Sequence, residues 1–274
     1  KSFYAAVKSA DSGAKVVIGG LALSTGYYDK LFEHLEALKD NPLDSFFDVF
    51  NYHSYGPYQA YGQATYNNST MQGGVGVKEV KALLNKYRYG DIETIITETG
   101  TWSGALPREG AQTEAQQASN LVKRYVYSIA HGVSRVYWTN LKAKGGDIFG
   151  MGGLVENESK KLAYYAYKLM VEKLSGFSRT DILIVQEKDG VYVYKFIKNN
   201  KSVWVAWNDN ENHKKEITVS GFKSGRAKLT ESVLNKDSGK DVKDYSVAFK
   251  AVVGLADNES VRIWLENIPV FLED

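Results

Sequence analysis

Thr94-Ile95-Ile96-Thr97-Glu98-Thr99-Gly100-Thr101-Trp102 is the stretch that decides the reading of this chain. A β-branched run ends in a carboxylate, a glycine and then an aromatic ring. Bounded by glycine and preceded by a helical stretch, such a run suits a strand buried on both faces of a parallel sheet. A strand of this kind delivers its last residues to the carboxyl edge, where α/β folds place their chemistry. Glu98 stands at that edge. A lone strand-end carboxylate is more commonly just solvated or salt-bridged, so its neighbours carry the weight.

Upstream, Ser2 to Ala10 reads as the end of a helix, closed by Asp11-Ser12-Gly13. Lys15 to Leu21 reads as a buried strand. Tyr28, Leu31, Phe32, Leu35 and Leu38 share one face of a helix from Tyr27 to Lys39, which Asn41-Pro42 ends. Phe46 to Tyr52 is a second strand, running into His53-Ser54-Tyr55-Gly56-Pro57. A long polar loop from Tyr58 to Gly76 marks a functional or mobile segment. Val77, Val80, Leu84 and Tyr87 then give a helix closed by Gly90.

Downstream, Thr113 and Gln116 form a capping box before the stripe Ala118, Leu121, Val122, Tyr125 and Ile129, which stops at Gly132. Arg135 to Asn140 is the next strand, and a Gly-rich loop leads to a helix from Ser159 to Leu174. The expected pattern is four strand–helix units, hence parallel strands with right-handed crossovers. A doubly wound sheet and part of a (β/α)8 barrel both fit. No Gly-rich phosphate loop follows any strand, which weakens a nucleotide-binding version of the former.

After Gly176 the pattern changes to short alternating strands: Asp181–Val185, Val191–Phe196, Ser202–Trp207, Glu216–Val219, Ala227–Glu231, Tyr245–Val252 and Val261–Leu265. These predict an antiparallel sheet or sandwich, giving a region at 1–176 and a β-domain at 177–274. Trp204, Trp207 and Trp264 would make a sugar platform if outward, but alternating strand positions favour buried core.

Composition narrows the function. Hydrophobic residues make up 43% and charged residues 24%, so the chain folds. A net charge of +2 gives no reason to expect nucleic acid or an anionic membrane as partner. No apolar run reaches the length of a membrane span. Without Cys there are no disulfides or thiolate metal sites, and His34, His53, His131 and His213 show no ligand spacing. No metal or other cofactor is expected. The chain opens inside a helix with neither start Met nor leader, which is expected of a fragment or processed product. That leaves location open, with an extracellular one compatible. The 19 Tyr, 11 Phe and 5 Trp suit sugar rings as well as cores.

Cleaving a glycosidic bond takes two carboxyl groups, and about 5 to 5.5 Å between them gives retention through a glycosyl-enzyme intermediate. Glu98 ends one strand, His53 and Tyr55 follow the strand before it, and Trp138 ends the strand after it. Together these resemble the second half of a clan A retaining glycoside hydrolase barrel of the family 39 and family 5 type. The resemblance covers 1 to about 176. It implies a partial (β/α)8 barrel holding strands five to eight, with a trailing β-sandwich domain. It implies Glu98 as nucleophile, Tyr55 as its hydrogen-bonding tyrosine, His53 as a subsite histidine and Trp138 as the ring beneath the sugar. Trp102 and Asn140 are further candidate substrate contacts, each equally able to fill a loop.

The sequence also departs from that pattern. The expected acid/base follows an Asn at the end of strand four, and no Asn-Glu precedes Lys15 to Leu21. Asn157-Glu158 and Asn258-Glu259 are misplaced for that role, and Asp147, Glu109 and Glu156 read as solvated loop acids. A half barrel would expose two strand edges, so a missing barrel half, another subunit or a second copy is the expected partner, beside a poly- or oligosaccharide. Two other classes remain open: a carbohydrate-binding module without cleavage, and an inactive fragment in which Tyr55, Glu98 and Trp138 do not converge.

Overall fold

The computed structural model describes residues 2–20, 25–41, 45–55, 76–103, 112–143, 152–177, 179–199, 201–210, 213–223, 226–246, 248–249, 251–255 and 259–274. It is a mixed α/β chain that divides into two compact units, residues 1–100 with 131–139 and residues 101–130 with 140–274.

The first unit holds helices α1 (Ser2–Ala10), α2 (Thr25–Ala37) and α3 (Val77–Lys86), with strands β1 (Val49–Ser54), β2 (Glu93–Thr99) and β3 (Val133–Trp138). The three strands form one parallel sheet in the order β1-β2-β3. Here the structure corrects the first of the four expected strands. Of Lys15 to Gly20 only Val17 makes a β-bridge, to Val49, with the Ile18 amide donating to the Val49 carbonyl at 3.1 Å. The ladder stops where Gly19 and Gly20 offer no side chain to pack, which weakens a strand. Asp48 fastens this segment: its carboxylate accepts from the Val16 amide (2.7 Å), the Lys8 ammonium (2.9 Å) and the Tyr4 hydroxyl (3.0 Å).

The core of this unit is aromatic. Phe32 lies 5.3 Å from both Tyr87 and Tyr89 and 5.5 Å from Phe50, while Phe47 stacks on Tyr89 at 5.1 Å. Each such pair contributes about 0.5–1.5 kcal/mol beyond the area it buries. Much of the Tyr and Phe richness is thus spent behind the sheet rather than on a sugar surface. The loop expected from Tyr58 to Gly76 lies outside the described residues apart from Gly76, whose amide donates to Glu79 Oε2 at 3.0 Å and opens α3.

The second unit pairs α4 (Glu114–Ala130) and α5 (Leu162–Leu174) with antiparallel strands. The capping box is present, with the Thr113 amide donating to Gln116 Oε1 at 2.9 Å and the Gln116 amide to Thr113 Oγ1 at 3.1 Å. The helix expected from Ser159 starts later. Residues Val155–Glu156 (β4) and Ser159–Lys160 (β5) form a tight hairpin through Asn157 and Glu158, both at positive φ, a turn whose twist matches paired strands. The freed amide of Leu162 donates to Glu114 Oε2 at 2.8 Å, so a carboxylate on α4 caps α5.

Beyond these lie β6 (Ile182–Lys188), β7 (Val191–Lys198), β8 (Lys201–Asn208), β9 (Lys215–Ser220), β10 (Arg226–Glu231), β11 (Ala251–Leu255), β12 (Ser260–Leu265) and β13 (Val270–Glu273). Six make an antiparallel sheet in the order β11-β10-β13-β8-β7-β6, and β9 pairs with β12. Both sheets feed one core that includes Val193, Trp204, Phe222, Val261, Leu265 and Leu272. The strand expected at Tyr245–Val252 is displaced to Ala251–Leu255, and β13 was missed because Pro269 precedes it and only four residues pair. Trp204 and Trp207 are buried as expected of core, whereas Trp264 faces outward at 62% exposure because it alternates with Ile263 and Leu265.

Polar ties join the helices of this unit to its strands. Lys123 and Asp209 are 2% and 6% exposed and pair at 2.7 Å, and Lys123 also donates to Asn267 Oδ1 at 2.9 Å. Burial pulls the Lys123 ammonium below the ordinary lysine value, against the attraction of Asp209. Removing one partner of a buried pair strands the other. Lys123→Ala should therefore cost about 3–5 kcal/mol in denaturant unfolding, while an apolar pair at both positions recovers most of it. A single variant as stable as the parent would show that the pair is solvated.

Candidate active site

The site is built at the carboxyl edge of β1 and β2. From Val49↔Glu93 to Tyr52↔Ile96 the two strands match residue for residue, but His53 pairs with Glu98, so Thr97 is extra. The ladder between β2 and β3 slips at the same place, from Ile96↔Val136 to Thr99↔Trp138. This is a β-bulge, of the kind that re-aims a side chain beside a site. Without it, strict alternation would put Glu98 on the face opposite Ile95 and its partner Asn51. With it, Glu98 shares the face of Asn51 and His53. The Thr97 hydroxyl donates to Asn51 Oδ1 at 2.8 Å on that same face.

Two side chains meet Glu98 there. The Tyr55 hydroxyl donates to Oε2 at 2.7 Å, and His53 Nδ1 lies 3.3 Å from the same oxygen. Among the described residues Oε1 has no such contact, and the side chain is 42% exposed. Tyr55 is set by the strand end before it, where the buried Thr99 hydroxyl donates to the Ser54 carbonyl at 2.6 Å. Burial raises the Tyr55 phenol well above its ordinary pKa. A hydrogen bond with Thr139 opposes this, and the Glu98 carboxylate adds to the rise. The phenol therefore stays protonated and donating throughout the working range of an enzyme.

Trp138 lies across the ladder from Thr99, and the Thr139 amide donates to the Thr99 carbonyl at 2.9 Å. Gly100 allows this approach, since a Cβ there would sit 2.9 Å from the Thr139 carbonyl and 3.8 Å from the Trp138 ring. The structure thus brings His53, Tyr55 and Glu98 into contact and places Trp138 at the same strand ends. Trp102 and Asn140 belong to the second unit. Trp102 is half-buried beside Thr101, whose carbonyl accepts from the buried Gln117 amide at 2.8 Å. Asn140 is exposed, with its carbonyl accepting from the Leu154 amide at 3.3 Å. Among the loop acids, Glu156 is solvated near Lys161, while Glu109 and Asp147 lie outside the described residues. No cluster of metal-ligating side chains occurs among the described residues, and no described helix is long and apolar enough to cross a membrane.

Residues 1–144 match the family described as Cellulase (glycosyl hydrolase family 5). The chain belongs to glycosyl hydrolase family 5. A search among curated proteins finds no match. Solved structures share the fold. An α-L-arabinofuranosidase from Thermotoga maritima, in an arabinose complex, aligns with TM-score 0.65 at 12% identity, over 100% of this chain and 60% of its own. A family 30 endoxylanase from Clostridium papyrosolvens gives 0.54 at 14% identity, over 97% and 57%. A family 44 endoglucanase from Clostridium acetobutylium gives 0.58 at 10% identity, over 98% and 59%. This family 5 chain thus spans about 60% of the length of those enzymes, and at such identities the likeness speaks for fold alone.

Sequence reasoning missed Thr97, Asn51 and Gly20. A Cβ on Gly20 would meet Asn51 Nδ2 at 2.6 Å and His53 Nε2 at 2.7 Å. The Gly19-Gly20 pair was the available signal, since a glycine in a strand often marks close approach of another group. Gly20→Ala should destabilise the protein by about 1–3 kcal/mol through overpacking and shift the His53 ring resonances. Unchanged stability with unchanged His53 resonances would show that the contact is slack.

Proposed function

We propose that this family 5 chain carries the nucleophile side of a retaining glycoside hydrolase acting on poly- or oligosaccharides. The observation that carries the reading is the asymmetric hold on Glu98: Tyr55 and His53 both engage Oε2, and among the described residues Oε1 has no such contact. A carboxylate held this way stays aimed.

In the first step Oε1 attacks the anomeric carbon. The C1–Oε1 bond forms as the bond from C1 to the leaving oxygen breaks, and that oxygen takes a proton from an acid/base outside this chain. In the second step water attacks C1, the acid/base accepts its proton, and the ester bond breaks to return the Glu98 carboxylate. Tyr55, fixed as a donor, trades its hold on the free anion for one on the glycosyl ester. Trp138 serves as the floor of the subsite beside the cleavage point.

The proposal extends to the architecture. The three-stranded parallel sheet is part of a (β/α)8 barrel spanning 1–176, with a β-sandwich domain at 177–274. Another segment, subunit or copy completes the barrel and brings the acid. In support, Tyr137 on the outer strand β3 is 49% exposed, and α1 buries no residue.

An activated 2-deoxy-2-fluoro glycoside tests the nucleophile directly. Its leaving group needs no acid, and the fluorine slows release of the glycosyl ester. 2,4-Dinitrophenyl 2-deoxy-2-fluoro-β-cellobioside should add one glycosyl group to the peptide that contains Glu98. In Glu98→Ala the label should vanish, and in the completed assembly turnover should collapse to background while sugar binding persists. Labelling elsewhere, or unchanged hydrolysis by the variant, rejects the assignment. Sedimentation addresses completion: at micromolar concentration this chain should associate, and a folded monomer under dilution would count against a missing half.

A further inference from the structure

We infer that Thr97 is a positioning residue for the reaction, because its hydroxyl pins the one-residue bulge to Asn51 and so keeps Glu98 on the face where Tyr55 and His53 meet it. The inference rests on the reading of Glu98 as nucleophile and deepens it.

Three observations converge. First, Thr97 is the residue left unmatched by the ladders on both sides of β2. An unmatched residue has no cross-strand hydrogen bond to hold it, so the bulge can slide along the strand or relax unless something else fastens it. Second, among the described residues its side chain is fastened by the 2.8 Å bond to Asn51 Oδ1. Asn51 is itself immobile: it is 7% exposed, pairs with Ile95 in the ladder, and has its Nδ2 end packed where Gly20 leaves no room for a methyl group. Its amide oxygen faces the Thr97 hydroxyl. Third, a slip by one residue has a discrete consequence. Alternation would return Glu98 to the other face, away from both donors.

The hydroxyl is what matters, so the variants separate a donor from a shape. Thr97→Val keeps the β-branched form that suits a strand but removes the donor and leaves a buried amide oxygen unpaired. Thr97→Ser keeps the donor. Because an unpaired buried acceptor is costly, the rate constant for labelling Glu98 by the 2-fluoro cellobioside should fall about tenfold in Thr97→Val. The probe's dissociation constant should be unchanged, and Thr97→Ser should label within about twofold of the parent. Asn51→Ala breaks the same bond from the other end. If the two residues act through one contact, the double variant is no slower than the slower single one.

A merely structural role would lower the melting temperature without separating labelling rate from probe affinity, and serine would not restore the rate. Thr97→Val labelling at the parental rate overturns the inference, as do equal losses in the valine and serine variants or effects that add in the double variant. Absence of label on the parent's Glu98 is a different result. It overturns the nucleophile reading itself, and this inference falls with it.

Discussion

A strand sends successive side chains to opposite faces, and at the strand end that carries Glu98 this rule has to be broken once. The unmatched Thr97 breaks it. Everything local to the site follows from that step: Glu98 joins the face of Asn51 and His53, and one carboxylate oxygen falls to Tyr55 and His53. The constraint is stiff because both neighbouring strands slip at the same point, and because Gly20 closes the space behind Asn51 and His53. A bulge that merely added length would be tolerated anywhere on an edge. Here it sits on the central strand of the sheet, where lost ladder hydrogen bonds are costly and persistence argues for a purpose.

The second unit is organised by polar side chains buried between helix and strand rather than by helical stripes alone. Glu114 accepts from the Leu162 amide, the Gly239 amide and the Ser238 hydroxyl, all within 2.7–2.8 Å. It thus ties the start of α4 to the start of α5 and to the turn before β11. Gln117 does similar work for loops, linking Ser103, the Thr101 carbonyl and the Gly152 carbonyl. Such groups stabilise only when fully partnered, which makes the geometry of this unit specific as well as stable. Lys123 with Asp209 and Asn267, and the Lys173–Glu273 pair, extend the same pattern. For this reason α4 and α5 pack in one unit with the strands that follow residue 177, although α4 lies between two strands of the other unit in the chain.

The aromatic residues divide by position. Those on α2, β1 and the segment after α3 interlock behind the sheet, where their bulk fills space that aliphatic side chains would leave open. Tyr55 and Trp138, at strand ends, are only half-buried, and the Tyr55 hydroxyl reaches Glu98. The same residue types therefore serve as packing or as site depending on which end of a strand they occupy.

What the sequence by itself determined is local. Apolar stripes placed the helices, and Thr113 with Gln116 marked the start of α4. Alternation located most of the later strands, and β-branching ahead of a carboxylate and glycine put Glu98 at a strand end. Only the tertiary structure decided what depends on register and close approach. It decided that Thr97 is the odd residue, that Gly20 lies against Asn51 and His53, that a helix is capped by Glu114 from another helix, and that Trp204 faces inward while Trp264 faces out. The reason is physical: periodicity is written along the chain, but a one-residue slip between strands, or a glycine that admits a distant side chain, is a relation between segments far apart in sequence and leaves almost no mark on either alone.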